Sequence, residues 1–276
     1  MQTKLNHNLT RRAALAALVS PYAAQALVQP GGFAAKSVLR APHYVGMRGG
    51  SEGATSFTPA SIPGLQLWLD ASQIVGLNDG DPVATWSDLS GVGNHLTQSI
   101  VSSRPTYSNT TSPCVIFDGV DDWLENLTFT GGYTPEVFCR LEVVTAAASG
   151  LAWSTPDNGY FAGTYATGSG NFGSIISSGS VVVQGALALN TVGVVRIYYA
   201  RNVGANTAKF AINGTEQSFT IAAGDYLAAT FNKINLGRFP AGGHYQNCKI
   251  RQFLVYSSPL TAAQRLQVEA YLNALP

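Results

Sequence analysis

From Ile62 onward, apolar residues recur at alternate positions in short runs separated by turn formers, the period of a strand with one buried face. Leu65-Gln66-Leu67-Trp68-Leu69 follows this pattern, as does Lys209-Phe210-Ala211-Ile212. Val181-Val182-Val183, the run 192–199 and Phe253-Leu254-Val255-Tyr256 are rich in β-branched and aromatic side chains, which suit a pleated surface better than a helix. Asn213-Gly214 stands between two such runs, and both residues tolerate the positive φ of a two-residue hairpin turn. Many short strands divided by regular turns predict a single β-sandwich or barrel over residues 61–276. One helix is expected at the C-terminal end. Thr261 and Gln264 have the spacing of a capping box, and Leu266, Val268, Ala270, Tyr271, Leu272 and Leu275 supply an apolar face.

Residues 1–60 do not share this pattern. The stretch 9–19 places Arg11 and Arg12 before a short apolar run, and Ala24-Gln25-Ala26 has the small residues of a cleavage site. Two readings stand: a twin-arginine export signal, or a retained helix capped by Thr10 and ended by Pro21. Residues 28–60 carry Gly31-Gly32, Pro42, Gly49-Gly50, Gly53 and Pro59 with neither period, which predicts an extended segment.

Charge divides the chain at the same place. Residues 1–51 contain Lys4, Arg11, Arg12, Lys36, Arg40 and Arg48 and no acid, whereas residues 52–276 hold the other 10 basic residues and all 15 acids, a net of −5. A basic arm joined to a mildly acidic body implies two parts with different roles. Arg11, Arg12, Lys36, Arg40 and Arg48 are the candidate anchoring residues. Over the whole chain the net charge is +1, which gives no reason to expect nucleic-acid binding. No run of about 20 apolar residues is present, so no spanning helix is expected. Charged residues make up only 11% of the 276, against about a quarter in an ordinary soluble domain. With hydrophobic residues at 46%, that argues against intrinsic disorder over the whole chain.

Five blocks occur in order along the body. They are Leu67-Trp68-Leu69-Asp70-Ala71-Ser72; the stretch Trp86-Ser87-Asp88-Leu89-Ser90-Gly91-Val92-Gly93-Asn94-His95; Arg104-Pro105-Thr106-Tyr107; the stretch 115–124, which includes Phe117-Asp118-Gly119 and Asp121-Asp122-Trp123; and 253–261, leading into the helix. In this order they resemble the concanavalin A-like, laminin-G-like jelly-roll domains of bacterial and phage proteins. The resemblance implies an all-β jelly-roll sandwich with an extended N-terminal arm and a short C-terminal helix, and it does not extend to residues 1–60. Trp68, Trp86, Phe117 and Trp123 supply large apolar areas for such a core.

The resemblance also implies where chemistry would lie. Laminin-G-like domains often hold one Ca2+ at a sheet rim, which makes Asp88, Asn94, Asp118, Asp121 and Asp122 candidate ligands beside their ordinary use as turn caps. Sugar binding needs an aromatic face near polar groups, for which Tyr160, Tyr165, Asn171, Phe172, His244 and Tyr245 are the candidates, the first four in a Gly/Ser-rich stretch expected to be a surface loop. Related hydrolases carry Glu-x-Asp-x-x-Glu on one strand, and that motif is absent. Glu136 and Glu142 would share a strand face but stand about 20 Å apart, too far for a glycosidase pair. Gly168-Ser169-Gly170-Asn171-Phe172-Gly173 matches a dinucleotide fingerprint in letters without the strand and helix that give it meaning. Cys114, Cys139 and Cys248 have no zinc spacing and read as buried apolar residues, with one disulfide among them left open.

These features together point to a non-enzymatic structural or adhesive component of a phage-like particle: a head spike, fibre or decoration subunit. The arm would anchor it to capsid or other particle subunits, and a homo-oligomer would display the sandwich toward cell-surface polysaccharide. The alternative is an exported bacterial carbohydrate-binding or adhesion protein, periplasmic or extracellular; a polysaccharide hydrolase is the third reading.

Overall fold

The computed structural model describes residues 57–129, 135–145, 150, 152–154, 161–163, 172–176, 181–185, 187, 189–202, 205–221, 233–238 and 243–275. The basic arm and its anchoring candidates Arg11, Arg12, Lys36, Arg40 and Arg48 lie outside these residues.

The strands, in chain order, are β1 (Leu65–Asp70), β2 (Thr85–Trp86), β3 (Leu96–Thr97), β4 (Thr106–Ser108), β5 (Cys114–Asp118), β6 (Leu124–Asn126), β7 (Glu136–Val143) and β8 (Trp153–Ser154). They continue with β9 (Phe161–Gly163), β10 (Phe172–Ile176), β11 (Val181–Gly185), β12 (Val192–Asn202), β13 (Ala205–Ile212), β14 (Thr215–Ile221), β15 (Ile234–Leu236) and β16 (Asn247–Tyr256). One α-helix, α1 (Ala262–Ala274), follows. The strands form two eight-stranded antiparallel sheets. The first has the order β14-β13-β12-β7-β16-β5-β4, with β1 also on β16; the second has the order β11-β10-β9-β8-β15-β6-β3-β2. The fold is therefore the expected all-β sandwich with a terminal helix.

Alternation decides which side chains meet between the sheets. On β7, Val137, Cys139, Leu141 and Val143 enter the main core with Leu67, Leu69, Phe117, Trp153 and Phe253. The rings of Trp153 and Phe253, from opposite sheets, meet edge to face at 5.7 Å. Burial of each large side chain contributes about 1.5–3 kcal/mol. Cys114, Cys139 and Cys248 are buried free thiols. Of the four large aromatics, Trp86 and Phe117 are fully buried, whereas Trp68 and Trp123 are half-buried.

The other face of β7 carries Glu136, Phe138, Arg140 and Glu142, also buried. Phe138, Val194, Leu254 and Tyr256 form a second core beneath α1. The helix begins in the capping box at Thr261 and Gln264 and buries Val268 and Leu272. Leu266, expected on the apolar face, is 67% exposed, and Ala270 is exposed too. The reason is angular: two residues of helix turn through about 200°, so 266 and 270 lie opposite 268 and 272.

Glu136 ties this layer together. It is fully buried, and its carboxylate accepts from Leu260 N at 2.6 Å, Arg265 Nε at 2.7 Å and Arg196 Nη1 at 3.4 Å. Arg196 also pairs with Glu216 and Glu269, each at 3.0 Å. Truncation to Glu136→Ala removes the carboxylate that Arg196 and Arg265 share and leaves Leu260 N without its acceptor at the base of the helix. It should lower the unfolding free energy by about 3–5 kcal/mol, read from urea denaturation.

Candidate functional site

The loop from Trp86 to His95 is built around one carboxylate. Asp88 is 8% exposed. Its Oδ1 accepts from Trp68 N and Ser90 N, each at 2.9 Å; its Oδ2 accepts from Ser90 Oγ at 2.7 Å, Gly93 N at 3.1 Å and Asn94 N at 2.9 Å. Asn94 Nδ2 donates to Gln66 O at 2.7 Å, and Asp88 N donates to His95 Nδ1 at 2.9 Å. The loop is thereby fastened to β1. With both oxygens of Asp88 engaged by five donors, the geometry gives Asp88 and Asn94 an organising role.

A cavity of about 220 Å3 opens beside this loop, where the blocks 67–72 and 86–95 approach each other. Asp70, Gln73, Ile74, Leu77, Trp86 and Ser87 are among its walls. Asp70 ends β1, and its Oδ1 accepts from Ser72 N at 2.9 Å, Ser72 Oγ at 2.7 Å and Gln252 Nε2 at 3.2 Å. Burial, and then the Asp70 carboxylate to which it is hydrogen-bonded, pushes the Tyr271 hydroxyl up to about 12, so it remains a proton donor. Trp86 is buried, and its indole Nε1 has no acceptor among the described residues. Ile74 and Leu77 pack against the main core, while Val75, also on the cavity, is 88% exposed. The cavity walls thus join apolar side chains to the Asp70 carboxylate, the Ser87 hydroxyl and the Gln73 carboxamide, the combination small-molecule sites use for orientation.

The structure brings three metal candidates together elsewhere. Ligand oxygens of Asp118, Asp121 and Asp122 lie within 4.8 Å of one another, a group that does not include Asp88 or Asn94. The turn depends on Gly119, whose φ is +81° and where a Cβ would stand 2.7 Å from Asn247 N. Asp118 Oδ1 accepts from Val120 N and Asp121 N, and Asp122 Oδ2 accepts from Asp118 N at 3.0 Å. Burial above all, and then the neighbouring acids, pushes Asp122 up to about 6 against the opposing pull of that backbone N–H.

Of the sugar-binding candidates, Tyr160, Tyr165 and Asn171 lie outside the described residues. Phe172 opens β10, whose Gly173 pairs with Gly163 of β9, so that end of the supposed loop is strand. His244 is exposed with φ +57°, and Tyr245 is half-buried. Sequence reasoning did not single out Gln73, Ile74 or Leu77. The available signal was Ile74-Val75-Gly76-Leu77, an apolar run with no strand alternation between two blocks that do form strands. It likewise passed over Arg238, which stacks 3.3 Å above the Trp123 ring and pairs with Glu125 at 3.4 Å.

The Asp122 carboxyl has a raised folded-state value, so its contribution to stability is present below pH 4 and is lost as pH rises through about 6. Thermal denaturation between pH 4 and pH 7 should show that loss, and Asp122→Asn should flatten it.

No family model matches the sequence, and no curated protein matches it. Among solved structures, the chain is similar to a botulinum neurotoxin type C whose cell entry is described as dependent on two ganglioside molecules: TM-score 0.55, 12% identity, 77% of this chain and 51% of that one. It is similar to the binding domain of Paraclostridial Mosquitocidal Protein 1, with TM-score 0.53, 14% identity, and 76% and 52% of the two chains covered. It is also similar to a GH54 α-L-arabinofuranosidase, with TM-score 0.52, 12% identity, and 70% and 51% covered. The chain spans about half the length of each of these structures. At such identities the likeness is one of fold: this chain is a β-sandwich.

Proposed function

We propose that the protein is a non-enzymatic glycan-binding module whose rim cavity takes one sugar unit. The observation that carries this reading is the cavity itself. A pyranose ring has apolar C–H faces for Ile74 and Leu77 and hydroxyls for Asp70, Gln73 and Ser87. Neighbouring structures described as binding domains support a binding role. Glu136 and Glu142, the carboxylates considered for hydrolysis, are each held in a separate ion-pair group.

In the finer form of this proposal, a homo-oligomer of the protein is displayed on a phage-like particle as a spike, fibre or decoration subunit. The basic arm, through Arg11, Arg12, Lys36, Arg40 and Arg48, anchors it to capsid or other particle subunits. Many weak sugar sites on one particle then gain avidity. The alternative is an exported bacterial adhesion protein; an N-terminus shortened by about 26 residues in intact mass supports it. In either setting Asp118, Asp121 and Asp122 would hold Ca2+, a hard cation suited to carboxylate oxygens, whose remaining positions carbonyls and water supply.

A glycan array of surface polysaccharides, followed by titration of the best ligand, tests the module. Ser87 is exposed on the cavity, so Ser87→Trp should fill the cavity without harming the core and weaken binding at least about tenfold. His244→Ala should leave affinity unchanged. Unaltered binding by Ser87→Trp, or release of reducing ends from the bound glycan, overturns the proposal.

A further inference from the structure

On the face of β7 that carries Phe138 beneath α1, the next two residues are Arg140 and Glu142, and here the surface changes from apolar to charged. Strand β16 adds to this group through a bulge. Its register against β7 passes from Ile250 opposite Leu141 to Gln252 opposite Arg140, leaving Arg251 as the extra residue. Ile250 and Phe253 both fill the core between the sheets. The two residues between them turn away from it, and Arg251 joins the charged face.

Three cations, Arg140, Lys249 and Arg251, meet two carboxylates there, Glu142 and Asp70. Glu142 uses both oxygens, Oε1 for Lys249 Nζ at 3.0 Å and Oε2 for Arg251 Nη2 at 3.1 Å. Asp70 Oδ1 is engaged by Ser72 and Gln252. Arg251 Nε donates to Ser112 Oγ at 2.7 Å. Its remaining nitrogen, Nη1, is buried in a side chain only 7% exposed and has no acceptor among the described residues. Arg140 reaches Gln252 Oε1 at 3.4 Å, and burial followed by the Arg251 charge lowers its pKa. The group therefore contains a buried donor that no acceptor among the described residues satisfies, which is costly away from water.

We propose that this group is a binding site for a small oxyanion, a phosphate, sulfate or carboxylate group, anchored by Arg251 Nη1 and approached past Lys249 at its exposed edge. The planar guanidinium offers directed donors to such oxygens, which an ammonium does not reproduce. Lys249 is 33% exposed and Ser112 is half-buried, so solvent approaches from that edge. The reading does not rest on the sugar cavity.

The test is thermal denaturation of the full chain at fixed pH and ionic strength, with sodium phosphate, sulfate or acetate replacing chloride. Glycerol 1-phosphate forms a further arm that separates a free ion from an esterified headgroup. At least one oxyanion should raise the wild-type Tm saturably. Arg251→Lys, which keeps the charge but loses Nη1, should raise the half-saturating concentration about tenfold. Lys249→Gln, nearer the surface, should weaken it several-fold and keeps the test decisive where Arg251→Lys does not fold. If oxyanions act no differently from chloride, a buried water satisfies Nη1 and the proposal fails; it fails equally if both variants respond as wild type does.

Discussion

The pairing of β16 with β7 is the constraint on which the rest of the sandwich depends. β16 also pairs with β5 over its first part and with β1 over its last, so the beginning and end of the body are joined across one strand. Because β16 and β7 are central, both of their faces must be covered. The second sheet covers one face with apolar side chains, and α1 with the charged layer covers the other. A buried charge on that second face is tolerated only where partners reach it, and Glu136, between Arg196, Arg265 and Leu260 N, meets that condition.

The same constraint positions the cavity. β1 is held in register by β16, which places Asp70 opposite Gln252. The 86–95 loop is fastened to β1 through Asp88 and Asn94. A concavity at the rim thus arises from rigid elements on both sides, with the short segment after Asp70 forming the exposed wall. The acidic turn at 118–122 is held in its own way, by the close approach of Gly119 to Asn247 of β16. Two candidate sites and one charged group consequently refer back to a single strand.

A sandwich of this kind hosts different chemistries, as toxins and an arabinofuranosidase among its structural neighbours illustrate. Function must then be argued from side chains at a site and not from the scaffold. Here those side chains combine an apolar wall with hydrogen-bonding groups beside a carboxylate, while the glutamates considered for bond cleavage are committed to ion pairs.

The sequence by itself determined the elements whose causes are local. Alternation marked β1 and β13, Asn213-Gly214 with φ of +48° and +79° made the predicted hairpin, and Thr261 with Gln264 made the predicted cap. The five blocks in order sufficed for the fold class. Only the tertiary structure decided which oxygens of the acidic residues are free. Asp88 and Asp122 look alike as letters, yet one is consumed by five donors and the other is pushed up by burial beside two acids. Nor could spacing show that Ile74 and Leu77 would wall a cavity, that Arg238 would stack on Trp123, or that a bulge would turn Arg251 onto a charged face. Each of these depends on strands distant in sequence meeting at a fixed register, and register is a property of the assembled sheet.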